Sequence, residues 1–232
     1  MTVASEITKL QGNLAACYTA VSNKGGTMPE HENFDNLATA IGTISGGGSA
    51  GKYELLEQIK DDSDNVIGTV CGFFTDENDV EYAVVCLGQN ISSSSLALCS
   101  STGNITGLSS YSNSKSSNVW GAIGTATSNT QKIIDWCSAN NYTSDACDYC
   151  RNQSFVIDGT TYYGQIPNFQ ELTYISKNYP SLNISSAQTL WASTQYSANE
   201  MWIMGLAGGF TSGFKTATYV KVCPVLELPN AL

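Results

Sequence analysis

The stretch Leu190–Leu228 reads L-W-A-S-T-Q-Y-S-A-N-E-M-W-I-M-G-L, then a turn rich in Gly, Phe, Ser and Thr, then Y-V-K-V-C-P-V-L-E-L. Trp202, Met204 and Leu206 alternate with Met201, Ile203 and Gly205, the period-two pattern of a strand with one buried face. With Trp202, Met204 and Leu206 inward, Ile203 is expected to face outward. Val220, Val222, Pro224 and Leu226 share one parity and predict a second strand. Between the two runs, Ala207-Gly208-Gly209 and Ser212-Gly213 tolerate positive φ, so the pair predicts a hairpin with a long tip. Tyr196, Asn199 and Glu200 lie just before the first strand, and Phe210 and Phe214 stand between glycines in the tip. Lys215, Thr218, Tyr219 and Lys221 follow the tip. Together with Ile203 these ten residues are expected to form one ligand-binding patch of mixed aromatic and polar character. The alternative for Phe210 and Phe214 is that they plug the domain's own core.

Working upstream, Asn168-x-x-Glu171 precedes Leu172 and Ile175, and Ser128-x-x-Gln131 precedes Ile133, Ile134 and Cys137. Both have capping-box spacing, in which the first side chain bonds a free backbone N–H and the Glu or Gln reaches back. They predict helices near 129–140 and 169–178, the second ended by Asn178, Tyr179 and Pro180. Glu171 is therefore read as a cap in preference to a catalytic acid. Cys71 and Cys86 each lie inside an apolar strand and are expected as small core residues. Residues 88–128 are rich in Ser, Asn and Gly, but Leu96, Leu98, Ile105, Leu108, Trp120 and Ile123 recur within them. They predict a loop-rich insertion with short strands, packed on the domain.

The frame Trp191, Ser193-Thr194, Tyr196 and Trp202, preceded by Ile166-Pro167 and Glu171-Leu172, resembles the C-type-lectin-like fold. More narrowly it is similar to the group shared by formylglycine-generating enzymes and the variable proteins of diversity-generating retroelements. Cys223 stands where those relatives carry an Arg in a final Val-Arg-Pro-Val. Upstream, Val70–Val85 looks like the first hairpin of such domains, so the resemblance covers roughly residues 52–232. It implies an α+β domain with two helices and a small mixed or antiparallel sheet. It also implies recognition positions diversified by a retroelement, on a scaffold that tolerates substitution at exposed sites. The formylglycine-generating relatives use a pair of late reactive cysteines, whereas Cys223 is alone here. Sugar-binding C-type lectins hold calcium through Glu-Pro-Asn or Gln-Pro-Asp and Trp-Asn-Asp. Ile166-Pro167-Asn168 and Trp202-Ile203-Met204 lack those ligands, so no calcium-dependent lectin activity is expected.

The first 45 residues resemble the short helical leader of phage tail-associated proteins, through I-T-K-L-Q-G-N-L, N-K-G-G-T-M-P and F-D-N-L-A-T-A-I. Ile7, Leu10, Leu14, Cys17 and Val21 step by threes and fours, and Phe34, Leu37, Ile41 and Ile44 repeat the spacing. Pro29 suits an early helical position. Two outcomes fit this seam: a helical hairpin packing its own stripe, or an oligomerisation or docking element closed by neighbouring subunits. A homo-oligomer is expected, a trimer first, with other tail proteins as partners of the leader. Ser45–Gly51 has the composition of a flexible linker, so the leader (1–45), linker (46–51) and ligand-binding domain (52–232) are expected as separate parts.

Composition narrows the function further. Charged residues make up only 13% of the chain, so surface polarity must come from Ser, Thr, Asn, Gly and Tyr, the palette of binding loops. A net charge of −10 makes nucleic acid and anionic membrane poor partners. The acidic run Glu57–Asp64 lacks the spacing of a helix-flanked calcium loop. Met1–Leu10 contains Glu6 and Lys9 and no apolar run of signal-peptide length. Synthesis in a bacterial cytoplasm is therefore expected, with free thiols as the default for the eight cysteines. Cys147-x-x-Cys150 is the one C-x-x-C. Cys137 and Cys223 are conceivable third and fourth zinc ligands, and a disulfide formed after release is the alternative, but neither is read as a site, so no metal or cofactor is expected. The single histidine, His31, lies in the leader, too loosely tied to serve a Ser-His-Asp site. The expectation is a non-enzymatic receptor-binding protein of a phage tail, located in the virion and recognising a bacterial surface protein or glycan. The alternative is a structural tail or baseplate component whose lectin-like domain contacts neighbouring subunits.

Overall fold

The computed structural model describes residues 3–23, 28–42, 51–76, 78–108 and 125–230. Of the expected linker stretch only Gly51 is described, and Ile44, Trp120 and Ile123 also lie outside the described residues. Two compact units divide the chain, one within residues 1–52 and one spanning Tyr53–Asn230.

The first unit holds helices α1 (Val3–Asn23) and α2 (Phe34–Gly42). Its core is Tyr18, Val21 and Ala40, with Leu14 and Leu37 packed against it. Leu14, Tyr18 and Val21 follow four- and three-residue steps, so Tyr18 enters the core and Cys17, expected on the seam, is exposed. Tyr18 has the larger side chain and its hydroxyl donates to the Asn33 carbonyl at 2.7 Å. Pro29 lies before α2; that helix is entered at Asn33, whose side chain accepts the Asn36 N–H at 2.9 Å. Ile7, Leu10 and Phe34 remain 51%, 53% and 60% exposed, so the hairpin covers only the later part of the α1 stripe.

The second unit is α+β. Strands β1 (Gln58–Lys60), β2 (Val66–Thr75), β3 (Glu81–Cys86) and β9 (Val225–Pro229) form one antiparallel sheet in the order β1-β2-β3-β9. The hairpin expected from Val70–Val85 is β2–β3, with Cys71 and Cys86 buried in it. Strands β4 (Ser154–Ile157) and β5 (Thr160–Tyr163) make a two-stranded hairpin. Asp158 and Gly159 turn it with φ of 49° and 72°, as a two-residue turn requires. Strands β6 (Thr189–Gln195), β7 (Glu200–Gly205) and β8 (Gly209–Phe214) form a third sheet with β7 in the centre.

Among the described residues three helices accompany these sheets, one more than expected: α3 (Ala126–Ala139), α4 (Asp145–Arg151) and α5 (Phe169–Asn178). The α5 capping box is complete: Asn168 Oδ1 accepts the Glu171 N–H at 2.9 Å, and Glu171 Oε2 accepts the Asn168 N–H at 2.7 Å. Helix α3 starts three residues before the expected boundary, because Thr125 Oγ1 accepts the Ser128 N–H at 3.0 Å. Helix α4 contains Cys147 and Cys150, both buried. The 88–108 stretch carries a 3-10 turn at Gly88–Asn90 and no strand among its described residues. It contributes Leu98, Cys99, Ile105 and Leu108 to a core nonetheless.

Three cores stack through this unit. One lies between a face of the four-stranded sheet (Val84, Cys86, Val225), α5 (Leu172, Ile175) and one face of the β6–β7–β8 sheet (Trp202, Met204). A second covers the opposite face of β6–β7–β8: Trp191, Met201 and Ile203 meet Ile105, Ile133, Cys147 and Val222. A third lies behind the four-stranded sheet, where Val70, Val85 and Leu226 meet Ile157 of β4. Close approach is enforced at Gly72, where an added Cβ would stand 2.4 Å from the Tyr174 ring.

Two expectations for the C-terminal stretch are corrected here. Val220–Leu228 does not pair with Met201–Leu206. β7 turns instead into β8 through Leu206-Ala207-Gly208, with Gly205 opposite Gly209 and Gly209 at φ 88°. Residues 225–229 leave for the other sheet, beside β3. Ile203 does not face outward. It is 2% exposed, because 96–108, α3 and α4 cover the face that alternation assigned to solvent.

Candidate functional site

The expected face is built on the open end of the β6–β7–β8 sheet. β8 is an edge strand. Opposite residues share a face, so Glu200 and Phe214, Trp202 and Ser212, and Met204 and Phe210 line one side. The turn after β6 places the Tyr196 ring edge-on against Trp202, with centroids 4.9 Å apart. Tyr196 is 42% exposed and Phe214 58% exposed, and both project at this end of the sheet. Glu200 accepts from the Ser212 hydroxyl at 3.1 Å and the Ser197 hydroxyl at 3.3 Å, which fixes a carboxylate between the two rings.

After β8 the chain crosses residues 215–224 as a strap. Its carbonyls and amides are bonded on both sides: Cys99 N–H to Lys215 O at 3.0 Å, Leu96 N–H to Val220 O at 2.9 Å, Trp191 N–H to Lys221 O at 3.0 Å and Lys221 N–H to Thr189 O at 2.9 Å. On this strap Tyr219 is 62% exposed and Thr218 is exposed, while Lys221 is half-buried. A Cβ added at Gly213 would sit 3.2 Å from the Tyr219 hydroxyl, so Tyr219 lies against the end of β8. The structure thus brings Tyr196, Asn199, Glu200, Phe214, Thr218 and Tyr219 to the surface around the end of β8.

Three of the expected ligand contacts serve the scaffold instead. Ile203 is core. Phe210 stacks on Phe169 with centroids 3.8 Å apart and meets Trp202 edge-on at 6.1 Å, so it is a half-buried plug. Lys215 is fully buried, which a position just past an exposed Phe does not suggest. Its Nζ donates to the Gly103 carbonyl, to Gln195 Oε1 at 2.9 Å and to the Ala198 carbonyl at 2.6 Å. Burial lowers its pKa to about 8, and the nearby Cys99 and Cys137 work in the opposite direction. Gln195 Oε1 also accepts the Ile105 N–H at 3.1 Å. Lys215 and Gln195 therefore clamp the 103–105 loop and the 196–199 turn together under the exposed residues. The signal for a doubly covered sheet was present in M-W-I-M at 201–204, apolar on both parities.

A second concavity of about 470 Å³ lies among Phe74, Tyr82, Thr125, Arg151, Tyr162 and Glu227. The rings of Phe74 and Tyr82 stack there at 5.2 Å. Its carboxylates are already engaged. Glu227 accepts the Ala126 and Thr127 N–H groups at 2.7 and 3.0 Å, and Asp76 Oδ1 accepts those of Asn78 and Val80, each at 2.9 Å. The bond to Val80, followed by burial in the opposite direction, keeps Asp76 below the usual carboxylate range. Glu171 is 1% exposed, and burial, followed by the charge of Glu227, pushes its carboxyl well up. Among the described residues, no group of three or more His, Cys, Asp or Glu side chains comes together to hold a metal ion. No described helix is long and apolar enough to cross a membrane.

No family model and no curated protein matches the chain. Among solved structures, the chain is similar to a fimbrial protein from Bacteroides ovatus with a TM-score of 0.46 at 11% identity, over 80% of this chain and 51% of that one. The chain thus spans about half the length of that structure.

Proposed function

We propose that this chain is a receptor-binding protein whose recognition face is Tyr196, Asn199, Glu200, Phe214, Thr218 and Tyr219. The observation that carries this is the pairing of exposed aromatics with a fully packed support. Three large rings, Tyr196, Phe214 and Tyr219, stand 42–62% exposed around a sheet whose central strand is buried on both faces. Aromatic anchors rimmed by hydroxyls, an amide and one carboxylate form the composition of a protein-recognition or glycan-recognition surface. Diversification by a retroelement fits this division: exposed positions vary while Trp191, Trp202, Met204 and Val222 hold the frame. The class we infer, from the sequence resemblance, is the C-type-lectin-like variable protein of a phage tail, acting in the virion by binding and not by catalysis. The leader is proposed to join copies of the chain, three being the first expectation, and to dock on other tail proteins. Its exposed Ile7, Leu10 and Phe34 favour that role.

The test is binding of labelled full-length protein to a panel of bacterial cells, comparing wild type with the combined Tyr196→Ala, Phe214→Ala and Tyr219→Ala variant. Loss of cell binding with an unchanged melting temperature supports the proposal. Binding that survives the triple substitution overturns this face. Sequencing the neighbouring DNA gives an independent check. A near-copy of the final codons, differing at adenines and beside a reverse transcriptase, supports diversification, and its absence favours a structural tail component.

A further inference from the structure

Six cysteines of the second unit are at most 1% exposed and a seventh, Cys137, is 3% exposed, and four of the seven are arranged in two close pairs. Cys86 and Cys223 have their sulfurs 3.4 Å apart, and Cys99 and Cys137 have theirs 3.2 Å apart. The partners are distant in sequence, 137 and 38 residues respectively. The pairs fall in different cores, so neither pair competes with the other for a partner. We infer that these four thiols are two disulfide sites, Cys86–Cys223 and Cys99–Cys137, which lock the strap carrying the recognition face once the chain meets an oxidising disulfide.

Closing the bonds requires the sulfurs to approach by roughly 1.2–1.4 Å, to the disulfide length of about 2.05 Å, a shift within reach of side-chain rotation and small backbone adjustment. The sites flank the strap. Cys99 donates its N–H to the Lys215 carbonyl, where the strap begins. Cys137 ties that 99–105 loop to α3. At the other end Cys223 lies between Val222, whose N–H donates to Ser92 Oγ at 3.1 Å, and Pro224, whose carbonyl accepts the Leu87 N–H at 3.0 Å. Cys86 ties that end to β3. Tyr219 and Lys221 lie between the two anchors, so cross-linking would reduce the conformational freedom lost when a ligand binds. The inference deepens the recognition role and rests on it for this consequence; the pairing itself involves no ligand.

The chemistry balances with a small-molecule disulfide as the oxidant. The Cys137 thiolate attacks one sulfur of the small disulfide, forming a mixed disulfide and expelling one small thiolate. The Cys99 sulfur passes its proton to that thiolate and displaces the second small group from Cys137 as a thiolate, which takes up the proton Cys137 released on ionising. Two protein S–H groups are oxidised, one small disulfide is reduced to two thiols, and the same steps serve Cys86 and Cys223. Cys137 is 3% exposed and Cys99 0%, so Cys137 is the more accessible sulfur of its pair. Burial raises the Cys71, Cys147 and Cys150 thiols, Cys147 to about 12, and Cys223 is raised as well, so the pairing is set by sulfur proximity and not by thiol acidity. Because the pairs are inside the domain, reaction occurs as the chain folds or when the strap opens.

The experiment is refolding of the full-length protein in a buffer of reduced and oxidised glutathione, followed by acid quench, alkylation and peptide mapping. Expected are cross-linked peptides joining Cys86 to Cys223 and Cys99 to Cys137, with Cys71, Cys147 and Cys150 alkylated. The oxidised protein should melt roughly 10 °C above the reduced one. Amide exchange over 215–222 should slow at least about tenfold, by the equivalence of about 1.4 kcal/mol to one decade. Free thiols throughout, or dominant links through Cys71, Cys147 or Cys150, overturn the pairing. Correct links with unchanged exchange at 215–222 overturn the lock. Correct links, slowed exchange and cell binding insensitive to Tyr219→Ala support the lock and overturn the recognition proposal instead.

Discussion

Strands β7 and β8 are neighbours of equal length with opposite roles. Four consecutive residues of β7, Met201–Met204, are buried, whereas β8 buries only Gly213 and leaves Phe214 in solvent. The difference arises from what covers each strand. β7 is central, with α5 and the four-stranded sheet on one face and the 96–108 loop, α3 and α4 on the other. β8 is at the edge, and the strap lies against its end through Tyr219. The proposed recognition residues therefore lie on β8, the 196–199 turn, the strap and Glu200 at the start of β7, while Met201–Met204 of β7 supply rigidity. Polar identity does not sort the two classes: Lys215 and Glu171 are buried scaffold, while Phe214 and Tyr219 are exposed.

The strongest way to break this division is to attack its buried cation. Lys215→Met keeps the length of the side chain but leaves the Gly103 and Ala198 carbonyls without their donor. We expect a loss of about 3–5 kcal/mol, measured by urea denaturation, since orphaned buried acceptors cost more than the net worth of each bond. An exposed ligand contact would lose binding and keep its stability. Ile203→Ala should cost about 3 kcal/mol by the same measurement, the cost of an Ile deleted from a packed core. A value within about 0.5 kcal/mol would place Ile203 on the surface.

Phe210 sharpens the boundary, because it shares a strand with Phe214 and differs in burial. Its ring stacks on Phe169 and contacts Trp202, and it is itself only half-buried. Phe210→Ala is expected to cost about 2 kcal/mol, below the range for a fully buried ring. Thermal melts of Phe210→Ala and Phe214→Ala side by side test the distinction, and equal losses would erase it.

The family resemblance marked the β2–β3 hairpin, and local chemistry marked the α5 cap, which depends on residues close in the chain. Asn168 and Glu171 cap one another whatever packs around them. Alternation in Trp202, Met204 and Leu206 marked β7 as a strand but not the number of faces covered. That depends on Ile105, Ile133 and Cys147, which tertiary packing brings in from 56–98 residues upstream of Ile203. Lys215 was misplaced for a related reason. Its partners Gly103, Gln195 and Ala198 lie up to 112 residues away, and no spacing rule joins them. The glycines of the tip marked Phe210 and Phe214 alike, and only packing separates them, Phe210 stacking on Phe169 while Phe214 stays exposed.

Glu171 offers a smaller test of the buried polar scaffold. Its Oε2 accepts the Asn168 N–H, and Oε1 has no donor, as suits a protonated carboxyl beside Glu227. Burial and then Glu227 raise its folded pKa, so the folded state holds a proton that the unfolded chain releases above the ordinary value of 4.5. Stability from this group is complete below that value and is lost as pH rises toward the folded pKa. Glu171→Gln preserves both the cap and a donor toward Glu227. Its stability should match wild type at acidic pH and exceed it progressively as pH rises, the gap passing about 0.5 kcal/mol, the usual scatter of a surface change. Parallel stability–pH curves would show that Glu171 is ionised in the fold.

The smallest expected stability effects belong to the residues proposed to matter most for binding. Phe214 is 58% exposed and Tyr219 62% exposed, so truncation removes little buried surface from either. Phe214→Ala should change unfolding free energy by less than about 0.5 kcal/mol. Tyr219→Ala should do the same, although its hydroxyl lies against Gly213, because the strap holding it is fixed by backbone bonds at Lys215, Val220 and Lys221. Exposed aromatic anchors at an interface centre contribute about 2 kcal/mol or more to affinity, so each substitution should weaken cell binding by about thirtyfold. The informative quantity is the ratio of the two losses in one protein preparation. If Phe214→Ala and Tyr219→Ala each lose stability in proportion to binding, both rings are scaffold and the recognition surface lies elsewhere. If binding falls while the melting temperature holds, the edge strand and its strap read the ligand and the buried central strand only holds them in place.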